Sequence, residues 1–319
     1  MRTIQDTIYS ITVPTPYAVG DVHLYVLNGK MTTLVDAGVR TEEAWFEFTR
    51  QLKEHGIQPE DITQVILTHH HPDHIGLVEY LPNVEKVFAH SAAIPWIDRK
   101  EDFASIYMSF FEQFYTINGV PDELIQKLKH SPGKLKDFPS FKIADSVKEG
   151  DVVPGHPEWR VIETPGHAQS HISLYRNEDG AFLGGDHLLY HISPNPIVEP
   201  VFLGTERARP MIQYRESLQK LKPLSIRRVF PGHGEVFSNA DEIIEKRLRQ
   251  QIERSEKVYE ILKTDPAHAF DISKQLFPRQ YKKQYALTMS ETIGQLDFLL
   301  DESKIYKELS GGQEIYYVN

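Results

Sequence analysis

The run Thr68-His69-His70-His71-Pro72-Asp73-His74-Ile75-Gly76 contains the pattern His-x-His-x-Asp-His directly after the apolar segment Val65-Ile66-Leu67. Neutral imidazole and carboxylate oxygen are the ligands that borderline divalent metals accept. One ion does not readily use four ligands packed into six residues, whereas two adjacent ions served by one loop do. The bland alternative is a polar loop with incidental histidines, and the density of ligand types weighs against it.

A two-metal site needs further ligands, and three later segments supply them in one repeated design. Thr164-Pro165-Gly166-His167 follows Val161-Ile162-Glu163, Gly184-Gly185-Asp186 follows Phe182-Leu183, and Pro231-Gly232-His233-Gly234 follows Val229-Phe230. Each is a short apolar strand, a glycine turn and then a ligand. Singly each reads as a surface histidine or a capping aspartate; as an ordered set they carry weight. Polar loops at strand ends are where α/β proteins place their chemistry.

The series His69, His71, Asp73, His74, His167, Asp186 and His233 resembles the motif signature of the metallo-β-lactamase superfamily, with Val35-Asp36-Ala37-Gly38 matching its first motif and the likeness covering residues 10 to about 240. The chain is closer to the glyoxalase II-like and β-lactamase-like branches than to true lactamases, since Asp186 stands where those usually carry cysteine. The resemblance implies a four-layer αββα sandwich. It also implies that His69, His71 and His167 hold one ion and Asp73, His74 and His233 the other, with Asp186 bridging. Asp36 would orient a ligating imidazole, or else simply end a strand. Two cations so held would share a water, lower its pKa toward 7 and present hydroxide as the nucleophile, with Asp73 as a catalytic proton acceptor as well as a ligand. Zinc is the default cation, and manganese or ferrous iron is admissible with nitrogen and oxygen ligands alone.

The elements that must position these residues follow from the flanking pattern. Short β-branched or aliphatic runs at 22–27, 32–36, 64–68, 85–89, 159–163, 172–175, 181–184 and 227–230 read as strands, and 41–55 reads as an exposed helix. A helical insertion is expected at about 95–135, where Phe103, Tyr107, Phe110 and Phe114 fall on one helical face that either walls a pocket or packs on the core. His70 should point away from its neighbours. His171, His187 and His191 follow the motif loops closely enough to line the pocket, and Tyr190 and His191 are the candidate substrate contacts, with ordinary loop packing as the alternative.

The expected division is a catalytic domain over 1–240 and a helical module over 241–319. In the latter, a helix from Ser290, with that serine as N-cap, and a wing around Gly311-Gly312 resemble a winged helix. That module carries 12 Lys plus Arg against 14 Asp plus Glu, so it has no nucleic-acid footprint, and packing or homodimer formation is the better reading. The whole chain of 319 residues has a net charge of -10 and no cysteine, which excludes thiolate metal sites, disulfides and cysteine nucleophiles. No leader or membrane span is legible, and the chain reads as cytoplasmic. The leading function is hydrolysis of a small ester, thioester or lactone, with endoribonuclease or other phosphodiesterase activity as the alternative. A redox or binding role, as in flavodiiron relatives, would need a flavin domain that the tail is too short to hold.

Overall fold

The computed structural model describes residues 7–129 and 139–319. Its first sheet has six strands in spatial order: β1 (Thr7–Val13), β2 (Val22–Asn28), β3 (Thr32–Val35), β4 (Gln64–Ile66), β5 (Lys86–Ala89) and β6 (Asp145–Ser146). β1 to β3 are antiparallel and β3 to β6 parallel. The second sheet holds β7 (Val152–Val153), β8 (His156–Glu163), β9 (Ile172–Arg176), β10 (Ala181–Gly185) and β11 (Arg228–Pro231), in order from one edge to the other.

Along the chain, α1 (Glu42–Glu54) follows β3 and the single turn α2 (Pro72–Ile75) follows β4, while α3 (Ile94–Asp98), α4 (Phe103–Ile117) and α5 (Asp122–Lys129) follow β5. Helix α6 (Pro210–Leu221) joins β10 to β11. Helices α7 (Ala240–Thr264), α8 (Ala269–Leu276) and α9 (Tyr285–Asp301) precede a terminal hairpin of β12 (Ile305–Ser310) and β13 (Gln313–Val318). No helix among the described residues is long and apolar enough to cross a membrane.

Strand alternation sends successive side chains to opposite faces, and this builds the layers. In β2, Tyr25 and Leu27 meet Trp159, Val161, Leu174 and Leu183 of the second sheet, forming the core between sheets. Leu24 and Val26 point the other way, against Ala44, Phe48 and Leu52 of α1. On the outer face of the second sheet, Tyr175, Phe182 and Val229 pack on Tyr214 and Leu218 of α6 and on Ile243, Ile244 and Leu248 of α7. The result is the expected αββα sandwich. Every strand expected from the sequence is present; β1, β6 and β7 were not foreseen, although the β-branched run of β1 is legible in TIYSITV.

The expected insertion corresponds to α3, α4 and α5 as far as residue 129, and its stretch 130–135 lies outside the described residues. Its aromatic stripe divides. Phe103 stacks on Phe202 at 4.9 Å and meets Trp96 edge-on, while Phe114 joins a cluster with Val258, Leu262, Met289, Ile293 and Leu296 of the C-terminal helices. Helix α7 thus packs on the second sheet with its first half and on the insertion with its second.

The two strands expected around Gly311-Gly312 form the β12–β13 hairpin, but Ser290 is not an N-cap. Helix α9 begins five residues earlier, and the Ser290 hydroxyl accepts from the backbone N–H of Val198 at 3.1 Å. A tertiary contact, rather than helix initiation, accounts for that serine. Gly294 in the same helix faces Met211 of α6, where an added Cβ would lie 2.8 Å from the Met211 Cβ. Alanine is intrinsically the better helix former by about 1 kcal/mol. We therefore expect Gly294→Ala to destabilise the fold, by about 1–3 kcal/mol, because overpacking outweighs propensity; urea unfolding that showed stabilisation would contradict this docking of α9 on α6.

Candidate metal centre

The residues of the cluster lie on the segments that follow β4, β8, β10 and β11, and these segments are stitched together before any ligand is considered. Asp36, just after β3, adopts a left-handed backbone with φ of 60° and is buried. One carboxylate oxygen accepts from the Thr68 N–H at 2.7 Å; the other accepts from the Thr68 hydroxyl and from His74 Nδ1, both at 2.8 Å. Backbone bonds from Ala37 N to His74 O, Gly76 N to Gly38 O and Leu77 N to Ala37 O fasten the same two loops. Pro72 at the first position of α2 starts the turn that places Asp73 and His74 side by side.

Hydrogen-bond accounting then fixes the tautomers. His74 Nδ1 donates to Asp36, His167 Nδ1 to the Asn195 carbonyl at 2.9 Å, and His233 Nδ1 to the Asp21 carbonyl at 2.7 Å. The Thr68 hydroxyl proton is committed to Asp36, so His69 Nδ1 donates to the Thr68 oxygen at 3.0 Å. Each of the four imidazoles therefore commits its Nδ1 proton outward and, in the neutral form that ligates a metal, turns a bare Nε2 inward.

These inner atoms converge. His69 Nε2 lies 2.9 Å from His71 Nδ1, which lies 3.0 Å from His167 Nε2. Asp186 Oδ1 is 3.4 Å from His74 Nε2, and Asp186 Oδ2 is 3.6 Å from His167 Nε2 and 3.5 Å from His233 Nε2. Asp73 reaches His233 at 3.4 Å. The ligand atoms of His69, His71 and His167 lie within 4.8 Å of one another, as do those of Asp73, His74 and His233. His74 Nε2, His233 Nε2 and Asp186 Oδ1 are buried without a hydrogen-bond partner among the described residues. An unmet buried polar atom costs about 1–3 kcal/mol, and inward lone pairs facing one another are satisfied by a cation. The donor set fits divalent metal.

The electrostatics divide the same way. Burial and the neighbouring imidazoles hold His69 and His71 well below the ordinary histidine range, keeping them neutral as ligation requires. For His74, burial pushes down, but the carboxylates of Asp186 and Asp36 outweigh it and raise the ring well above its usual value. Burial likewise pushes Asp186 up, and His233 and His74 reverse this to leave it well below the usual carboxylate range. The half of the site with the carboxylates calls for positive charge.

All seven residues expected as ligands meet here, with Asp36 behind them. His70 turns away, bonded through Nδ1 to Ser170 at 2.8 Å and stacked on Trp96 at 4.2 Å. His187 is buried behind the cluster against Tyr214, so it does not line an open pocket. Tyr190 and His191 stand outside the cluster: Tyr190 packs on Phe237, and His191 is exposed and pairs with Glu235 at 3.0 Å.

Sequence reasoning looked to the loop between Asp186 and α6 for substrate contacts and missed that it anchors a candidate ligand. Its Asn195 carbonyl anchors His167, its Glu199 accepts from the Gln169 N–H at 2.9 Å, and buried Arg247 of α7 donates through Nη2 to the carbonyls of Leu189, Tyr190 and Ile192. Asn195 also donates to the Leu287 carbonyl of α9 at 3.0 Å. The C-terminal helices therefore hold the loop that holds a ligand. At Gly232 the candidate ligands themselves leave no room, since a Cβ there would fall 2.2 Å from Asp186 Oδ1 and 2.8 Å from His74 Cε1. Gly232→Ala should leave a folded chain whose metal affinity drops on the order of 10–100-fold, the range seen when ligand positioning is lost; chelator competition showing unchanged affinity would place the metal elsewhere.

The family model described as the metallo-beta-lactamase superfamily matches residues 18–233. The chain is 40% identical over 303 residues to the probable metallo-hydrolase YqjP of Bacillus subtilis (strain 168), covering 95% of each. It is 25% identical over 237 residues to the thioesterase pkgB of Emericella nidulans, covering 74% of this chain and 52% of that one. Among solved structures, the metallo-beta-lactamase family protein TTHA1429 from Thermus thermophilus superposes with a TM-score of 0.80 at 26% identity, covering 98% of both chains. The chain belongs to the metallo-beta-lactamase superfamily and is an enzyme of its metallo-hydrolase class.

Proposed function

We propose that this chain hydrolyses a small ester, thioester or lactone at a dinuclear site. His69, His71 and His167 would hold one divalent cation, Asp73, His74 and His233 the other, and Asp186 would bridge, with zinc the default and manganese or iron admitted. The single observation that carries the reading is the convergence of inner lone pairs on the Asp186 carboxylate. Cations bound there supply water ionised near neutral pH and stabilise charge growing on the attacked oxygen.

The chain's own groups do the rest. Burial pushes the Asp73 carboxyl up, yet His233 and His74 beside it bring it below its usual value, so it is ionised and able to take a proton from the attacking water. Among the described residues a protein nucleophile finds no candidate beside the cluster. Cysteine is absent, and the adjacent hydroxyls of Thr68, Ser170 and Thr164 are committed to Asp36, His70 and His171. His191, exposed on the rim, is the candidate contact for a substrate group that projects toward solvent, whereas Tyr190 serves loop packing.

A carbonyl substrate is favoured over RNA by the C-terminal helices. In a winged helix the third helix reads the groove, but here Thr288 to Leu296 of α9 is buried against the rest of the protein. The likeness to a fungal thioesterase points the same way. The test is a panel of thioesters, esters, lactones, phosphodiesters and single-stranded RNA with the intact protein. Carbonyl substrates should turn over, lose turnover on chelation and regain it with zinc; Asp73→Ala should lower kcat by about 100-fold or more. Efficient RNA cleavage with carbonyl compounds inert, or full turnover in metal-free protein, would overturn the reading.

A further inference from the structure

Behind the cluster, fully enclosed, lies a polar chain that meets the candidate ligands through the Asp186 backbone and through the His171 ring, which packs on that of His69 with centroids 5.0 Å apart. The backbone N–H of Asp186 donates to His171 Nε2 at 3.1 Å. His171 Nδ1 lies 2.8 Å from the Thr164 hydroxyl, which lies 2.9 Å from the Ser173 hydroxyl, and Ser173 donates to the Gly184 carbonyl at 3.4 Å. All three side chains are buried, with His171 at 1% exposure and Thr164 and Ser173 at 0%.

Only one direction of donation satisfies both ends. An amide N–H can only donate, so His171 Nε2 must be bare. The single proton of the neutral ring is then on Nδ1 and goes to Thr164 Oγ1. The Thr164 proton passes to Ser173, and the Ser173 proton to the carbonyl of Gly184, which can only accept. The chain leaves the backbone of residue 186 and returns to that of residue 184, running through the end of β8 and the start of β9. Thr164 N also donates to the His171 carbonyl at 3.0 Å, tying in the loop that carries His167.

We infer that His171 is a positioning residue: by accepting from the Asp186 N–H it sets the backbone of the bridging aspartate and thereby the spacing of its two oxygens from the histidines on either side. Resting on the dinuclear reading above, this explains why an imidazole is buried where a leucine would fill the space. Asp186 has only two side-chain torsions, so a displaced Cα moves its carboxylate directly, and a site must hold within about 0.5 Å of its working geometry. Gly185, with φ of 48°, allows the close approach; a Cβ there would lie 2.8 Å from His171 Nε2.

Zinc binding to metal-free protein, measured by chelator competition and needing no substrate, tests this. His171→Leu fills the space but accepts nothing, whereas His171→Gln restores an acceptor near the Nε2 position. We expect His171→Leu to weaken zinc binding on the order of 10–100-fold and His171→Gln to recover most of it. Thr164→Val, which frees the ring to take the wrong tautomer, should weaken binding less, and Ser173→Ala should leave it near wild type. Wild-type affinity in His171→Leu overturns the inference, as does equal loss in the Leu and Gln variants; should the Leu variant not fold, unchanged affinity in Thr164→Val overturns it. Wild-type protein that binds two zinc ions while all four variants match it leaves the hydrolytic reading standing, whereas wild-type protein that binds none overturns both.

Discussion

Four imidazoles in the centre of this molecule have their outer nitrogens committed to protein oxygens, and in the neutral form that ligates a metal this turns bare nitrogens toward one another around Asp186. Left alone, such an arrangement is unfavourable, since buried lone pairs gain nothing from facing lone pairs. A cation reverses the sign. The rest of the fold follows from the need to hold those outer contacts: Asp36 in its left-handed turn, the Asp21 carbonyl ahead of β2, and the Asn195 carbonyl on the loop before α6. Strands from both sheets end on this one rim, which is how two separate packing faces deliver ligands to a common centre.

The C-terminal elements enter through the same requirement. Arg247, Ser290 and the Leu287 carbonyl all grip the loop carrying Asn195, and paired bonds from Arg207 to Asp297 at 2.7 and 2.9 Å close its far end. This helical region is therefore part of the wall of the centre. Its hydrophobic cluster includes Phe111, Phe114 and Tyr115 of the insertion, so removing the tail would strip the cover from those rings.

The candidate ligands were legible because metal-binding side chains are chemically distinctive and each follows a strand that periodicity reveals. Their anchors were less so. Asp36 could be suspected from its motif, but the carbonyls of Asp21 and Asn195 leave no trace in side-chain identity. Arg247 reads in sequence as one more charge on a solvated helix, although it is buried among carbonyls. Ser290 misled for a related reason: a serine ahead of a helical pattern is a sound cap signal, and nothing local reveals that its hydroxyl serves Val198, 92 residues away. The stripe from Phe103 to Phe114 showed its periodicity without showing that its two ends serve different clusters. Long-range backbone contacts are the part of this site that sequence pattern could not carry.

Anomalous diffraction from crystals of zinc-loaded protein tests the central claim most directly. Convergent lone pairs require two peaks, one among His69, His71 and His167 and one among Asp73, His74 and His233, with Asp186 between them. A single peak bound away from Asp186, or none at full zinc saturation, would contradict it.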